Sequence, residues 1–113
     1  MEDCIFCRIA NKEINANIEY EDTETIAFWD INPKAPIHIL IIPKKHIPSI
    51  ADLETGDEEQ VVKLIMVAKK IAENKGIAQS GYKLIFNVRD HGGQIINHLH
   101  LHLLGGQPIA GIV

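Results

Sequence analysis

The chain has 113 residues, enough for one domain with a substantial core and too few for two. Hydrophobic residues make up 46% and charged residues 23%, a globular balance that excludes a disordered chain, and no apolar run approaches the ~18 residues of a membrane helix. The 11 Lys and Arg against 15 Asp and Glu give a formal net charge of -4, and no basic run exceeds Lys44-Lys45, which excludes a nucleic-acid surface that tracks phosphates.

The N-terminus reads Met1-Glu2-Asp3, acidic where a signal peptide is positive, so a cytoplasmic location and no membrane partner are expected. Residues 4 to 11 predict a short helix carrying Cys4-x-x-Cys7, for which metal binding, redox chemistry and plain burial are all open. Strands are predicted over Ile18 to Glu21 and Thr25 to Trp29, forming a hairpin about Asp22. The β-branched run Ile37 to Ile42, closed by Pro43, reads as a buried strand containing His38, a lone histidine that core packing explains as readily as chemistry.

Thr55-Gly56-Asp57-Glu58 reads as a capping box opening a helix. Val61, Leu64, Ile65, Ala68, Ile71 and Ala72 form one core-facing stripe, and Gly76 ends the helix. Val62 and Met66 fall off that stripe and point to a subunit contact. Tyr82 to Val88 and His98 to Leu104 read as the last two strands. Between them, the loop from Arg89 to Gln94 follows Asn87 and carries the Gly92-Gly93 pair, whose N–H groups suit an anion. The sum is an α+β fold: an antiparallel sheet of about five strands, packed with one long helix and a short N-terminal helix, in a single domain spanning 1–113.

His98-Leu99-His100-Leu101-His102 alternates with period two, which puts three imidazoles on one face and the leucines in the core. In a straight strand the outer two histidines stand about 13 Å apart, too far for a single ion with bonds of about 2.0–2.1 Å. A neutral imidazole is a competent nucleophile, and His100 is placed for attack on phosphorus; His38 is a candidate to fix its ring and His102 to carry a proton. A metal-dependent hydrolase using the His-x-His pairs is the competing chemistry.

Asp30-Ile31-x-Pro33-x-Ala35-Pro36-x-His38, Ile42-Pro43-Lys44-Lys45-His46-Ile47, Gly92-Gly93-Gln94 and His98 through Gly106 together resemble the histidine-triad (HIT) nucleotide-binding family, from Ile5 to Pro108, and most of all its phosphoramidate-hydrolysing branch. The resemblance implies that His100 is the nucleophile that becomes nucleotidylated, that His102 assists at the phosphate and leaving group, and that His38 supports the nucleophile's ring. It also implies that Asn87, Gly93 and Gln94 line the phosphate site, that Asp30 takes the ribose hydroxyls, and that Ile5, Phe6, Ile9, Ile31 and Leu40 enclose a purine. For Phe6 and Ile31 taken singly, core packing explains the residue equally well.

The expected ligand is a purine nucleoside monophosphate or its phosphoramidate, with no cofactor for catalysis. Dinucleoside polyphosphate hydrolysis, nucleotidyl transfer and non-catalytic nucleotide sensing are the alternatives. Ile95 departs from relatives that carry a hydroxyl there, which bears on leaving-group specificity. The resemblance further implies a homodimer, and a structural zinc completed by Cys4, Cys7, His46 and His98 as in cysteine-bearing relatives, with His91 as a spare ligand and simple burial of the two cysteines as the alternative.

Overall fold

The computed structural model describes residues 3–111. In chain order the elements are α1 (Ile5–Ala10), β1 (Ile18–Glu21), β2 (Thr25–Trp29), β3 (Ile37–Pro43), α2 (Glu58–Asn74), β4 (Lys83–Phe86) and β5 (Leu101–Gly105), with short 3-10 turns at Ile50–Asp52 and Asp90–Gly92. The strands form one sheet in the order β1-β2-β3-β5-β4, and every neighbouring pair is antiparallel.

Strand alternation divides the core into two layers. Ala27, Ile39, Ile41, Leu101 and Leu103 face α2 and pack with Leu64, Val67, Ala68 and Ile71. Ile26, Phe28, Leu40 and Ile42 face the other way, beneath Phe6, Ile9 and Ala10 of α1. Because β3 is covered on both faces, its sequence is apolar almost throughout. The exception, His38, lies on the α1 face opposite Leu104 of β5, and Leu40 lies opposite His102. None of the described helices is long and apolar enough to cross a membrane.

Several boundaries differ from the sequence expectations. The capping box at Thr55 does not form: α2 is capped at Asp57, whose carboxylate is already committed to the Glu54 N–H and the Lys45 ammonium, and Glu58 instead accepts from the Gly56 N–H at 2.9 Å. Ile65 is exposed beside Val62 and Met66, and Val67 takes its place in the core. The helix ends as expected at Gly76 (φ 74), where Ile77 N–H bonds Ala72 O and Gly76 N–H bonds Glu73 O in a Schellman arrangement.

The final strands are shorter than predicted. β4 stops at Phe86 because Asn87 turns out of the ladder to donate to Gly92 O at 2.7 Å. β5 begins only at Leu101: Leu99 N–H goes to Ile47 O and His98 Nε2 to Pro43 O, so residues 98 to 100 are held by the end of β3 and the segment after it. The alternation nevertheless continues through them, with Leu99 in the α2-facing core.

Candidate active site

A cleft of about 810 Å³ opens on the α1 face of the sheet. One part is apolar: Ile5, Phe6 and Ile9 from α1 face Phe28 and Leu40 from the sheet, with Ile31 at the mouth. Phe6 stands edge-on to Phe28, ring centroids 5.4 Å apart, and edge-on to His100 at 5.2 Å. The five residues predicted to enclose a base therefore meet in one cavity. Phe28 and Ile96 complete it and were not anticipated, although the alternation in Thr25–Trp29 puts Phe28 on the same face as Ile26. Ile31 and Ile95 line the cleft while 91% and 88% exposed, which argues against core packing as the explanation for Ile31.

The polar part is organised by its hydrogen bonds. His100 Nδ1 lies 2.7 Å from His98 O. A carbonyl only accepts, so Nδ1 carries the proton and Nε2 is left bare. Lys34 N–H donates to His38 Nδ1 at 3.1 Å, which puts the His38 proton on Nε2, where it is donated to His102 Nδ1 at 3.0 Å. His102 is thereby left with its own proton on Nε2. The chain of contacts presents a bare nitrogen on His100 beside an N–H donor on His102, with ring centroids 4.9 Å apart. His38 thus braces His102; the ring of His100, which His38 was expected to support, is fixed instead by a backbone carbonyl two residues upstream. Asp30 Oδ2 lies 3.4 Å from His38 Nε2, and its Oδ1 accepts from Asn32 N–H.

Burial holds these rings neutral. It pushes His102 down to about 4, helped by the neighbouring His100 and His38, and lowers His38 and His100 as well, with Asp30 opposing the shift at all three. The unfolded chain, with ordinary imidazoles, takes up protons as the pH falls from about 6.5 towards 4, whereas the folded chain refuses them. Stability is therefore expected to be complete above pH ~6.5 and to decline below it, by up to about 1.4 kcal/mol per pH unit for each affected histidine. Urea denaturation at a series of pH values measures this; a flat profile across that window would contradict the assigned burial.

Asn87 and Gly93 line the cleft, but Gln94 does not. Its buried amide donates to Pro48 O at 2.7 Å and Ile96 O at 3.0 Å, and its Oε1 accepts from Arg89 N–H at 2.8 Å. Arg89 has φ 55 and ψ -168, a conformation costly for any side chain, and Gln94 pins it. The N–H groups of Gly92 and Gly93 close the turn onto Arg89 O and Asp90 O. The expected role of this glycine pair as free anion donors is therefore corrected, and Gln94 shapes the loop from behind.

At the start of α1 a second group converges. Cys4 Sγ lies 3.3 Å and Cys7 Sγ 3.5 Å from His98 Nδ1, and Cys7 Sγ lies 3.1 Å from His46 Nδ1. All four donor atoms lie within 4.8 Å of one another. Tetrahedral zinc with bonds of ~2.0–2.3 Å separates its ligands by about 3.3–3.8 Å, close to this spacing. His98 is prepared for such an ion, because its Nε2 proton is donated to Pro43 O at 2.8 Å and its lone pair faces the thiols. Burial raises Cys7 to about 11 and depresses His98 to about 4. A redox role for Cys4 and Cys7 has no support in this donor set, and His91 sits exposed in the 90–92 turn, outside the group.

Comparison with known proteins gives the family. Residues 3–109 match the family model described as "Scavenger mRNA decapping enzyme C-term binding". The purine nucleoside phosphoramidase of Escherichia coli K12 is 49% identical over 108 residues, spanning 96% of this chain and 91% of that protein. Among solved structures, a HIT family hydrolase from Legionella pneumophila superposes with TM-score 0.93 at 48% identity, covering 96% of each chain. A histidine triad protein from Clostridium difficile superposes with TM-score 0.96 at 43% identity, over 100% of this chain and 98% of that one. With the five-stranded antiparallel sheet and the three alternating histidines, these matches make the chain a member of the histidine-triad (HIT) family.

Proposed function

We propose that the chain hydrolyses purine nucleoside 5′-phosphoramidates through a covalent nucleotidyl-histidine intermediate on His100. The observation that carries this reading is the 2.7 Å bond from His100 Nδ1 to His98 O, which leaves a bare imidazole nitrogen in a cleft whose other end fits a base. The activity named for the Escherichia coli relative supports it.

In the first half-reaction His100 Nε2 attacks phosphorus and the bond from phosphorus to the leaving nitrogen breaks; its electron pair stays on that nitrogen, which takes a proton from solvent and departs as the amine. The positive charge left on the His100 ring is shared with His98 O through the Nδ1 proton, and the His102 Nε2–H hydrogen-bonds the phosphate and the departing group as charge moves. Water then attacks phosphorus, the bond to Nε2 breaks with its pair returning to His100, and the water proton goes to solvent. His38 holds His102 in the donating tautomer. Asp30 accepts from the ribose hydroxyls, Asn87 and Gly93 border the phosphate, and Ile5, Phe6, Ile9, Ile31 and Leu40 enclose the purine.

Incubation with adenosine and guanosine 5′-phosphoramidates tests the proposal: release of the monophosphate and, on rapid quench, a nucleotidylated peptide containing His100 are expected. Absence of both products rejects it. Asp30, His38 and His102 are close enough to hold an ion, so a metal-dependent hydrolase is the second reading; turnover that survives thorough chelation eliminates it.

Cys4, Cys7, His46 and His98 would hold a structural zinc, whose chemistry there is to bind both sulfurs as thiolates and cross-link α1 to the segments after β3 and before β5. Two free thiols fit a reducing cytoplasm. A homodimer is supported by the exposed triplet Val62, Ile65 and Met66 on α2, beside edge strand β4 with its exposed Leu84. Charging that surface with Met66→Glu is expected to convert dimer to monomer by light scattering; a wild type already monomeric at micromolar concentration would dispose of the interface.

A further inference from the structure

Among the described residues, Lys34 is the one charged side chain lining the cleft without an assigned task. Its backbone N–H is fixed to His38 Nδ1, which anchors the residue beside the His38–His102 pair, and its side chain lines the cleft. The ammonium reaches only Asn32 O, at 3.3 Å. Among the described residues, ion pairs engage Lys12, Lys44, Lys45, Lys63, Lys69 and Lys75, and none engages Lys34. Among the described residues it is also the only ammonium lining the cleft, and the one carboxylate there, Asp30, already faces His38 and Asn32 N–H.

Its position within the site has a direction. Lys34 N–H bonds His38 Nδ1, whose other ring nitrogen bonds His102 Nδ1, whereas His100 is held by His98 O and has no bond to this group. Lys34 is therefore anchored on the His38–His102 side of the triad. In-line displacement sends the leaving group to the side of phosphorus opposite the nucleophile. The Ile95 side chain lining the cleft carries no charge, whereas Lys34 brings an ammonium to the same lining.

We propose that Lys34 is a specificity-determining residue that selects nucleoside phosphoramidates whose leaving amine carries a carboxylate. The inference rests on the phosphoramidate-hydrolase reading above. An unpaired ammonium on a flexible stem meets such an anion without first breaking an ion pair, and an uncharged leaving group gains nothing from it. An ion pair at a partly open cleft is expected to change kcat/KM by about tenfold.

The test compares adenosine 5′-phosphoramidates of two nearly isosteric amines, β-alanine and its uncharged amide, on the wild-type protein, Lys34→Met and Lys34→Arg. Both variants keep the backbone N–H on His38, and the side chain is exposed, so the fold is retained. Wild type is expected to prefer the acid by about tenfold, Lys34→Met to bring the ratio close to unity, and Lys34→Arg to preserve it. The wild-type preference should also shrink between about 0.01 M and about 1 M salt, as the screening length falls from ~30 Å to ~3 Å. A ratio unchanged in Lys34→Met, or equal wild-type rates on both substrates, overturns the assignment to Lys34 while leaving the hydrolase reading intact. Failure of the wild type to cleave either substrate rejects the hydrolase reading and this inference with it.

Discussion

His100→Ala is expected to reduce turnover by a factor of a hundred or more while leaving the fold and nucleotide binding largely in place. The reason is positional. Each neighbour of His100 in the site has a hydrogen-bonded duty of its own: His98 Nε2 goes to Pro43 O, and His38 and His102 bond each other. None of them offers a bare nitrogen at the point His100 occupies, so no substitute nucleophile is available. Phe6 loses an edge contact with the imidazole but keeps the one with Phe28, which limits the effect on packing. Because residues acting as a unit lose function non-additively, a double variant with His102→Ala should be little worse than His100→Ala alone. Single-turnover assays beside thermal melts and binding of the nucleoside monophosphate separate these effects. Near-normal hydrolysis by His100→Ala would remove the covalent mechanism.

Loss of the proposed zinc should act on stability more than on the chemical step. In Cys4→Ser, Cys7→Ser protein, zinc is expected to fall from about one per chain to near zero, with a loss of about 3 kcal/mol and a drop in Tm of roughly 10 °C. α1 has only six residues, and it is held by the contacts of Cys4 and Cys7 with His46 and His98, by Phe6 against Phe28 and by the Lys12–Glu21 ion pair. A helix this short is not stable alone. Because Ile5, Phe6 and Ile9 sit on it, nucleotide affinity should weaken along with stability, while the His98 carbonyl that fixes His100 stays tied through Leu99 N–H to Ile47 O. Elemental analysis of protein purified without chelators is the measurement. No metal, together with no rise in Tm on adding zinc, would show the thiols to be simple buried residues.

Where burial pattern alone decides structure, the sequence was easy to read. The hairpin strands and β3 appear where alternation and β-branching put them, and the leucines between the histidines do face the core. The differences share a cause: local sequence assigns a polar side chain a local role, whereas in the fold a partner from another segment claims it. Asp57 takes the N-cap position in place of Thr55, yet its carboxylate goes to Lys45 and the Glu54 N–H and makes no cap bond. Gln94 reads as a phosphate ligand beside two glycines, yet Pro48 O and Ile96 O hold it inside. Sequence alone makes His38 a partner for His100 because it carries no register; pairing Leu40 with His102 sends His38 to His102 instead. The cysteine pair had the clearest spacing, but only the fold could bring His46 and His98 to it.

The strand order has a consequence for how the protein comes into being. β5, which carries His102, is synthesised last among the strands but lies between β3 and β4. Until it inserts, β4 has no neighbour and the inner edge of β3 is open, so a nascent chain can form the hairpins of β1, β2 and β3 early while lacking any semblance of the triad. Closing that gap joins Ile37 to Gly105 across most of the sequence, the kind of distant pairing that slows folding. Acquisition of hydrolytic activity during refolding should therefore lag behind the first gain of β-structure, because the three histidines of the proposed site are assembled by the same event that completes the sheet.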